Sequence, residues 1–504
     1  MWRVLENPLE YCYMKNIRKF NTTADMESAV LEEPYVLHNE ETGLVYTNHI
    51  GNQPDMMKNY FRFTAVEDTG FMLLGLDLEN DYNETTPDVN IEISTDGTTW
   101  ETWDFQPTEL LAGETVYMRG NNPDGFSKVN YDENTGVEHD FILGEGKIEC
   151  HGNIMSLLYS DDFEDKLTIP CDNCFIYLFY ECISLTTAPE LPATTLADYC
   201  YQYMFSNCTS LTKAPELPAT TLANYCYQYM FYGCTSLVTA PSILPATTLA
   251  KGCYIGMFSN CTSLTKAPEL PATTLANSCY YEMFEDCTSL TKAPELPATT
   301  LANSCYYRMF ESCSGLTTPP ELPATTLADK CYYRMFGNCS SLTTAPSIIP
   351  ATTLTEYCCY EMFDNCTSLT TAPELPATTL ARYCYQYMFE GCSNLTTAPS
   401  ILPATNLTDN CYHSMFKDCR NLTTAPELPA TTLANYCYYK MFQSCSKLNH
   451  ITMLATYIPS DTCLTDWVFA VLNYGTFVKH PNMTSLPSGQ SGIPNYWTVE
   501  NAVL

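Results

Sequence analysis

Cysteine is the residue type here with the widest chemical potential, and the 504-residue chain carries 27 of them. From Cys174 onward they recur in pairs eight residues apart: Cys174/Cys182, Cys200/Cys208, Cys226/Cys234 and so on to Cys437/Cys445. Thiols can ligate metals, form disulfides or attack as nucleophiles. Cys171-x-x-Cys174 has the look of half a zinc or redox site, but no second ligand pair follows at zinc spacing. Cys174 is instead the first member of the recurring pair. The seven histidines (His38, His49, His139, His151, His413, His450 and His480) are scattered, and His413 stands where other copies carry Gln, Tyr or Ile. The sequence holds no nucleophile elbow, phosphate loop or HExxH motif. Asp77, Glu79 and Asp81 offer oxygens that calcium accepts, yet lack the glycine and spacing of a known loop, so they read as a solvated acidic loop. The expectation is a protein without catalytic residues, metal or cofactor.

The spacing of the thiols points instead to the elements that carry them. The closing cysteines fall at 182, 208, 234, 261, 287, 313, 339, 366, 392, 419 and 445, in steps of 26 residues, or 27 where PSILPAT or PSIIPAT replaces PELPAT. Fixed-period self-similarity of this kind marks a solenoid. In the unit Ser184–Cys208, the proline-punctuated Leu185–Pro192 suits a short extended segment, and ATTLA turns the chain. Cys200, Met204 and Cys208 lie at i, i+4 and i+8, and Tyr201 and Phe205 at i, i+4, which predicts one apolar face of a short helix. Two cysteines eight apart on a helix are about 12 Å apart, beyond disulfide reach, and they read as small buried hydrophobes. The predicted fold is thus an α/β repeat solenoid, each unit a short strand plus a short helix. Its structural ladder runs through Cys200, Met204, Phe205, Cys208, Cys226, Met230, Phe231 and Cys234. One unit cannot bury these side chains alone, but stacked neighbours can. The register continues past the last clear copy, with Cys463, Trp467, Val468 and Val471 in the Cys, Met, Phe and closing-Cys positions. Residues 448–504 therefore read as a degenerate capping repeat and tail. The repeated LPATT reads as a structural turn, since it is internal and lacks the glycine of a sortase signal.

Four regions follow: an attachment segment at 1–50, a small β-sandwich-like domain at 51–152, the solenoid of about eleven units at 153–447, and the cap at 448–504. In the second, Tyr60–Phe63, Phe71–Leu78, Thr115–Arg119 and His139–Cys150 read as strands, and Asp96-Gly97 within 90–104 is a hairpin signal. The net charge of −34 repels nucleic acid and anionic lipid. No apolar run reaches the roughly 18–20 residues of a membrane span. The first twenty residues show no apolar export core, which predicts a route other than general secretion; Met14 offers a second start.

The phrase Phe-x-x-Cys-x-Ser-Leu-x-x-Ala/Ile-x-x-Leu-Pro, as in Phe205–Pro218, resembles the BspA-type leucine-rich repeats of bacterial surface proteins, over about 167–471. The units are about three residues longer than that family's usual repeat, with Met where it usually has Ala before Phe and an extra cysteine. The resemblance implies an adhesion or binding protein with no catalytic residues to carry over. The repeat wording PELPATTLANYCYxxMFxxCTSL, with 475–479 and 491–494, is similar to proteins of gut Bacteroidales and their phages, and Ile17–Tyr46 is similar to short N-terminal segments of such phages' virion proteins.

Comparison among the copies separates frame from face. Cys, Met, Phe and Leu positions barely change, whereas others vary: Tyr199, Tyr225, Gly252, Ser278, Ser304, Lys330, Tyr383 and Asn410 before the first cysteine; Tyr203, Tyr229, Gly256, Glu282, Arg308, Arg334, Tyr387, Ser414 and Lys440 three residues after it; and Ser206, Tyr232, Glu285, Asp364 and Lys417 beyond Phe. Such a mixture of Tyr, Ser, Asn, Gly and charge is the composition of paratopes. The candidate ligand-contact face is Tyr199, Tyr203, Tyr225, Tyr229, Tyr232, Glu282, Arg308, Arg334, Tyr383, Tyr387, His413 and Lys440. Unconstrained drift of an exposed surface is the bland alternative. The expected partners are other virion proteins through the N-terminal segment and a host-surface glycan or protein through the solenoid. A bacterial cell-surface adhesin and a purely structural decoration protein are the alternatives.

Overall fold

The computed structural model describes residues 58–80, 82–130, 133, 135–483 and 486–503, and the strand backbone at 2–4, 17–20, 36–39 and 45–48. The chain divides into two compact units, 1–59 and 60–504. In the first, β1 (Trp2–Val4), β2 (Ile17–Phe20), β3 (Val36–Asn39) and β4 (Val45–Asn48) form a sheet in the order β1-β4-β3-β2, with β2 and β3 parallel. Most of the predicted attachment segment, like Asp81 of the acidic loop, lies outside the described residues.

The second unit begins as two facing sheets. One joins β6 (Thr69–Asp77), β7 (Asn83–Thr85), β10 (Thr108–Leu110), β12 (Lys128–Asn130) and β13 (Thr135–Leu143). The other joins β5 (Phe61–Ala65), β8 (Ile91–Ser94), β9 (Glu101–Thr102), β11 (Thr115–Gly120) and β14 (Ile148–His151). Strands β5 and β6 alternate buried and half-buried residues, as one-sided burial requires. The Asp96-Gly97 hairpin is present with a longer loop than two residues: β8 pairs with β9, and Asp96 accepts the backbone N–H groups of Thr98 and Thr99. Strand β14 then pairs in parallel with β15 (Leu185–Thr187), the first strand of the repeats. One hydrophobic core runs unbroken from Tyr60 to Trp497.

Each repeat is one rung of the coil. Short parallel bridges link successive rungs at three places, for example Lys213 to Thr239, Ile243 to Glu269 and Thr195 to Thr221. The rest of the rung corrects the sequence reading. The Cys-Tyr-x-x-Met-Phe-x-x-Cys segment is not a helix; the sole α-helix among the described residues is α1 (Ser156–Tyr159), ahead of the repeats. The segment is a ribbon of overlapping turns. Alternate N–H groups close turns on the residue three back, as Gln202 donates to Tyr199 at 3.0 Å and Ser206 to Tyr203 at 3.0 Å. The N–H groups between them donate to the next rung: Tyr199 to Asn224, Tyr201 to Cys226, Tyr203 to Gln228 and Phe205 to Met230, at 2.9–3.0 Å. The solenoid is therefore built of bridges and turns, not of alternating strand and helix.

The reason lies in the period. Every fourth residue of the ribbon has left-handed backbone, with φ of 57°, 52° and 60° at Tyr199, Tyr203 and Asn207. That repeat of four buries pairs (Cys200/Tyr201, Met204/Phe205) and turns the next pair outward. A short i, i+4 pattern fits both a helix and this ribbon, but a helix cannot hold a left-handed residue in each turn. The last such position, just before the closing cysteine, holds Asn207, Gly233, Asn260, Asp286, Ser312, Asn338, Asn365, Gly391, Asp418 or Ser444. Asn, Asp and Gly tolerate this conformation best. Beneath the ribbon, Cys200, Met204, Phe205, Cys208, Cys226, Met230, Phe231 and Cys234 are fully buried. The Phe rings stack from rung to rung, for example Phe205 on Phe231 at 5.5 Å and Phe284 on Phe310 at 5.6 Å.

At the far end the register continues. Phe442 donates to the Trp467 carbonyl as Phe205 donates to that of Met230. The buried Trp467 donates its indole N–H to the Gly492 carbonyl at 2.8 Å. Strands β16 (His450–Met453), β17 (Thr476–Lys479) and β18 (Thr498–Asn501) close the stack as a parallel sheet. If left-handed backbone sets the ribbon, Asn338→Ile should cost about 1–2 kcal/mol in urea unfolding while Asn338→Gly stays within a few tenths; equal losses would show that backbone handedness is not what position 338 selects.

Candidate functional site

The ribbon's outward half is where the variable positions project. Tyr199, Tyr203, Tyr225, Tyr229, Glu282, Arg308, Arg334, Tyr383, Tyr387 and Lys440 all occupy its left-handed positions. All twelve candidate residues are half-buried, some against a counterpart one rung away, as Tyr199 against Tyr225, and some against a neighbour in their own rung, as Tyr232 against Tyr229. The structure sorts them into three neighbourhoods.

The first is a tyrosine stack. Tyr177, Tyr203 and Tyr229 follow one another at 5.0 Å, Tyr199 covers Tyr225 at 5.0 Å, and Tyr232 meets Tyr229 edge-on at 5.7 Å. A rung with glycine at both positions follows, and the Tyr229 ring lies where a side chain on Gly256 would be.

The second is a charged belt. Arg308 contacts Glu311 at 3.0 Å and Arg334 joins Glu311 and Glu361 at 3.0 and 2.9 Å, with Glu282, Glu285 and Asp364 at 3.7–3.8 Å from one or the other. Next to it Tyr281, Tyr307, Tyr333 and Tyr360 stack at 4.4–4.7 Å. Carboxylates outnumber guanidinium groups in this half-buried strip. Burial, then neighbouring carboxylates, push Glu285 and Asp364 up to about 7. In the sandwich, burial and Glu138 push Asp140 up to about 8.

The third is a cleft of about 550 Å³ lined by Tyr383, Tyr387, Asn410, His413, Ser414, Lys417, Tyr436, Tyr439 and Lys440. It exists because one rung is cut short. Asn410 and Ser414 stand in the two left-handed columns where the rung below carries Tyr383 and Tyr387 and the rung above carries Tyr436 and Lys440. Neither small side chain fills the space between its neighbours. His413 stacks on Tyr439 at 4.6 Å and meets the edge of Tyr387 at 5.0 Å. Burial holds its imidazole down to about 4, so it is neutral near pH 7. Its Nδ1 and the hydroxyl of Ser414, a residue 1% exposed, are buried with no hydrogen-bond partner among the described residues. Lys417 pairs with Glu390, and Lys440 lies over the Tyr439 ring at 5.1 Å. The lining holds two lysines and no carboxylate, on a chain of net charge −34.

Sequence reasoning reached Tyr383, Tyr387, His413 and Lys440 but missed Tyr436 and Tyr439 as their companions. The available signal was Asn410 with Ser414, small polar residues at both outward positions of one copy; the other copy with small residues at both is Gly252 with Gly256.

The cysteines belong to the frame. All those described are free, and all but Cys171 are buried. From Cys208 to Cys445 each closing thiol faces a main-chain carbonyl of the rung before, and Cys182 faces that of Phe141 in the sandwich: Cys234 donates to Phe205 and Cys313 to Phe284, both at 3.0 Å. Burial pushes Cys234 up to about 12. Among the described residues no cluster of three metal-ligating side chains occurs.

With this geometry in view, the comparisons place the chain. The BspA type leucine rich repeat region matches in overlapping blocks at 166–291, 253–370 and 361–470, well over half of the sequence. The chain belongs to that family, whose members typically bind or build and are not enzymes. Similar solved structures include a leucine-rich repeat protein from Bacteroides ovatus, at 16% identity over 67% of this chain and 92% of that one, with a TM-score of 0.37. Another is a leucine rich cell surface protein from Faecalibacterium prausnitzii, at 14% identity over 66% and 92%, with a TM-score of 0.26. A leucine-rich repeat protein from Eubacterium ventriosum matches at 12% identity over 56% and 86%, with a TM-score of 0.23. No curated protein matches the chain.

Two measurements test this description. Carboxyl groups held protonated in the fold keep a proton that the unfolded chain loses at lower pH. The part of stability due to Glu285, Asp364 and Asp140 is therefore fully present below their ordinary values of 4.5 and 3.8 and is lost as pH rises through about 7–8. The melting temperature should fall between pH 5 and pH 8, and Asp364→Asn should flatten the fall; a flat wild-type profile would refute it. In thiol labelling of the native chain with peptide mapping, Cys171 should react ahead of the repeat cysteines. Labelling of Cys208 or Cys313 at a similar rate would contradict their burial.

Proposed function

We propose that the chain is a non-enzymatic surface adhesion protein whose turn ribbon meets a glycan or protein of a host surface. One observation carries this reading. On a single ribbon, inward positions keep their residue types from copy to copy, while the outward columns change from tyrosine stack to charged belt to cleft. Drift of an unused surface has no reason to leave stacked aromatics half-exposed, since apolar rings in water carry a free-energy cost. Family membership supports adhesion as the general role. The acidic surface argues against a nucleic-acid partner, and no helix among the described residues is long and apolar enough to cross a membrane.

Two carriers of this surface are proposed. A phage virion fibre, attached through the N-terminal region to other virion proteins, is favoured by the resemblance of Ile17–Tyr46 to virion segments. A bacterial cell-surface adhesin is favoured by the family. Mass spectrometry of purified virions against cell-envelope fractions separates them. Under either reading, purified full-length protein should coat host cells and compete with adsorption of its carrier. Protein that neither coats cells nor competes leaves only a decorative role.

A further inference from the structure

The cleft in the shortened rung has a shape and a chemistry that narrow its ligand. In the column of Tyr199 and Tyr225, rings on successive rungs sit 5.0 Å apart, and Tyr357 and Tyr383 sit 4.7 Å apart. Tyr383 and Tyr436 are two rungs apart with Asn410 between them, so they bracket about 10 Å, twice that step. A flat ring in van der Waals contact with both needs about 7–8 Å. The cleft thus accepts one ring, in the place where the missing tyrosine of the stack would lie.

The floor says what kind of ring. Asn410, His413 Nδ1 and the Ser414 hydroxyl are polar, and the last two are buried without partners among the described residues. Buried polar atoms cost free energy until something pairs with them. An unsubstituted aromatic acid has no hydroxyls to offer them and a phenolic one few, whereas a sugar ring presents several around its edge. The wall says what charge. Lys417 and Lys440 are the ionisable groups with positive charge in the lining, which holds no carboxylate, and Lys417 already has Glu390. Resting on the adhesion reading above, we infer that this cleft binds one ring of an acidic sugar, with Tyr383 and Tyr436 on its faces, Asn410, His413 and Ser414 at its hydroxyls, and Lys440 at its carboxylate.

The test uses the full-length protein and an array of oligosaccharides bearing uronate or sialate rings, each beside its methyl ester. The ester keeps the ring and removes the charge. Wild type should retain at least one acid at least about tenfold more tightly than its ester, and the preference should shrink at high salt. Asn410→Tyr and Ser414→Tyr fill the cleft with the residue that the rung below already holds at those positions, Tyr383 and Tyr387, with left-handed backbone, so the fold should accept them; an unchanged melting curve confirms this. Each should abolish retention of the acid, and Lys440→Gln should remove the preference over the ester. Acids retained no better than esters, or retained equally by the filled variants, overturn the inference. If in that case the protein still coats host cells, the adhesion reading survives the loss of this site; if it binds no cells at all, both fall.

Discussion

The hydrogen bonds that run from one rung to the next hold everything else in place. In the turn ribbon every second N–H is committed to the neighbouring rung, and those between are committed to local turns. Backbone groups buried over a core must be paired, and this division pairs them without helix or continuous strand. It also fixes which side chains face inward. A residue slipped by one position would lose its carbonyl partner and turn a Met or Phe toward water. The Leu, Met, Phe and Cys positions therefore admit little change, and the freedom of the sequence is confined to the outward pairs.

That constraint explains why cysteine recurs without redox or metal chemistry. The closing position needs a side chain small enough for a packed interior and able to reach a carbonyl of the previous rung. A thiol does both, as a small hydrophobe with a weak donor. Cys313 beside the Phe284 carbonyl shows the arrangement, and the same contact repeats along the stack. Two-sided stacking also explains the special ends. The sandwich offers β14 to the first repeat strand, and Trp467 with the three-stranded sheet covers the last.

The repeat period, the buried ladder and the continued register at Cys463 were legible from the sequence, because they depend on spacing alone. The local conformation was not. Cysteines spaced by eight look helical when 3.6 and 4 residues per turn are not told apart over so short a stretch. The distinguishing sign was present in Asn207, Gly233, Asn260, Asp286 and Asn338, a column of residues that tolerate left-handed backbone. It has meaning only once a turn ribbon is considered. For the site, sequence comparison found the variable columns but not their grouping. Residues such as Tyr383 and Tyr436 are 53 positions apart, and only the stacking of rungs reveals that Asn410 separates them.

The near-identity of the rungs has a consequence at the level of the gene. A segment encoding one 26-residue unit can be lost or duplicated by recombination between neighbouring copies, and the protein that results still closes its core, since every junction is like every other. What changes is which outward residues become neighbours: removing one unit would bring Tyr383 and Tyr436 into contact, and moving another would set glycine beside a different aromatic. Exchange of whole units thus reshuffles surface sites while leaving the fold untouched, a route to new specificities that needs no point mutation.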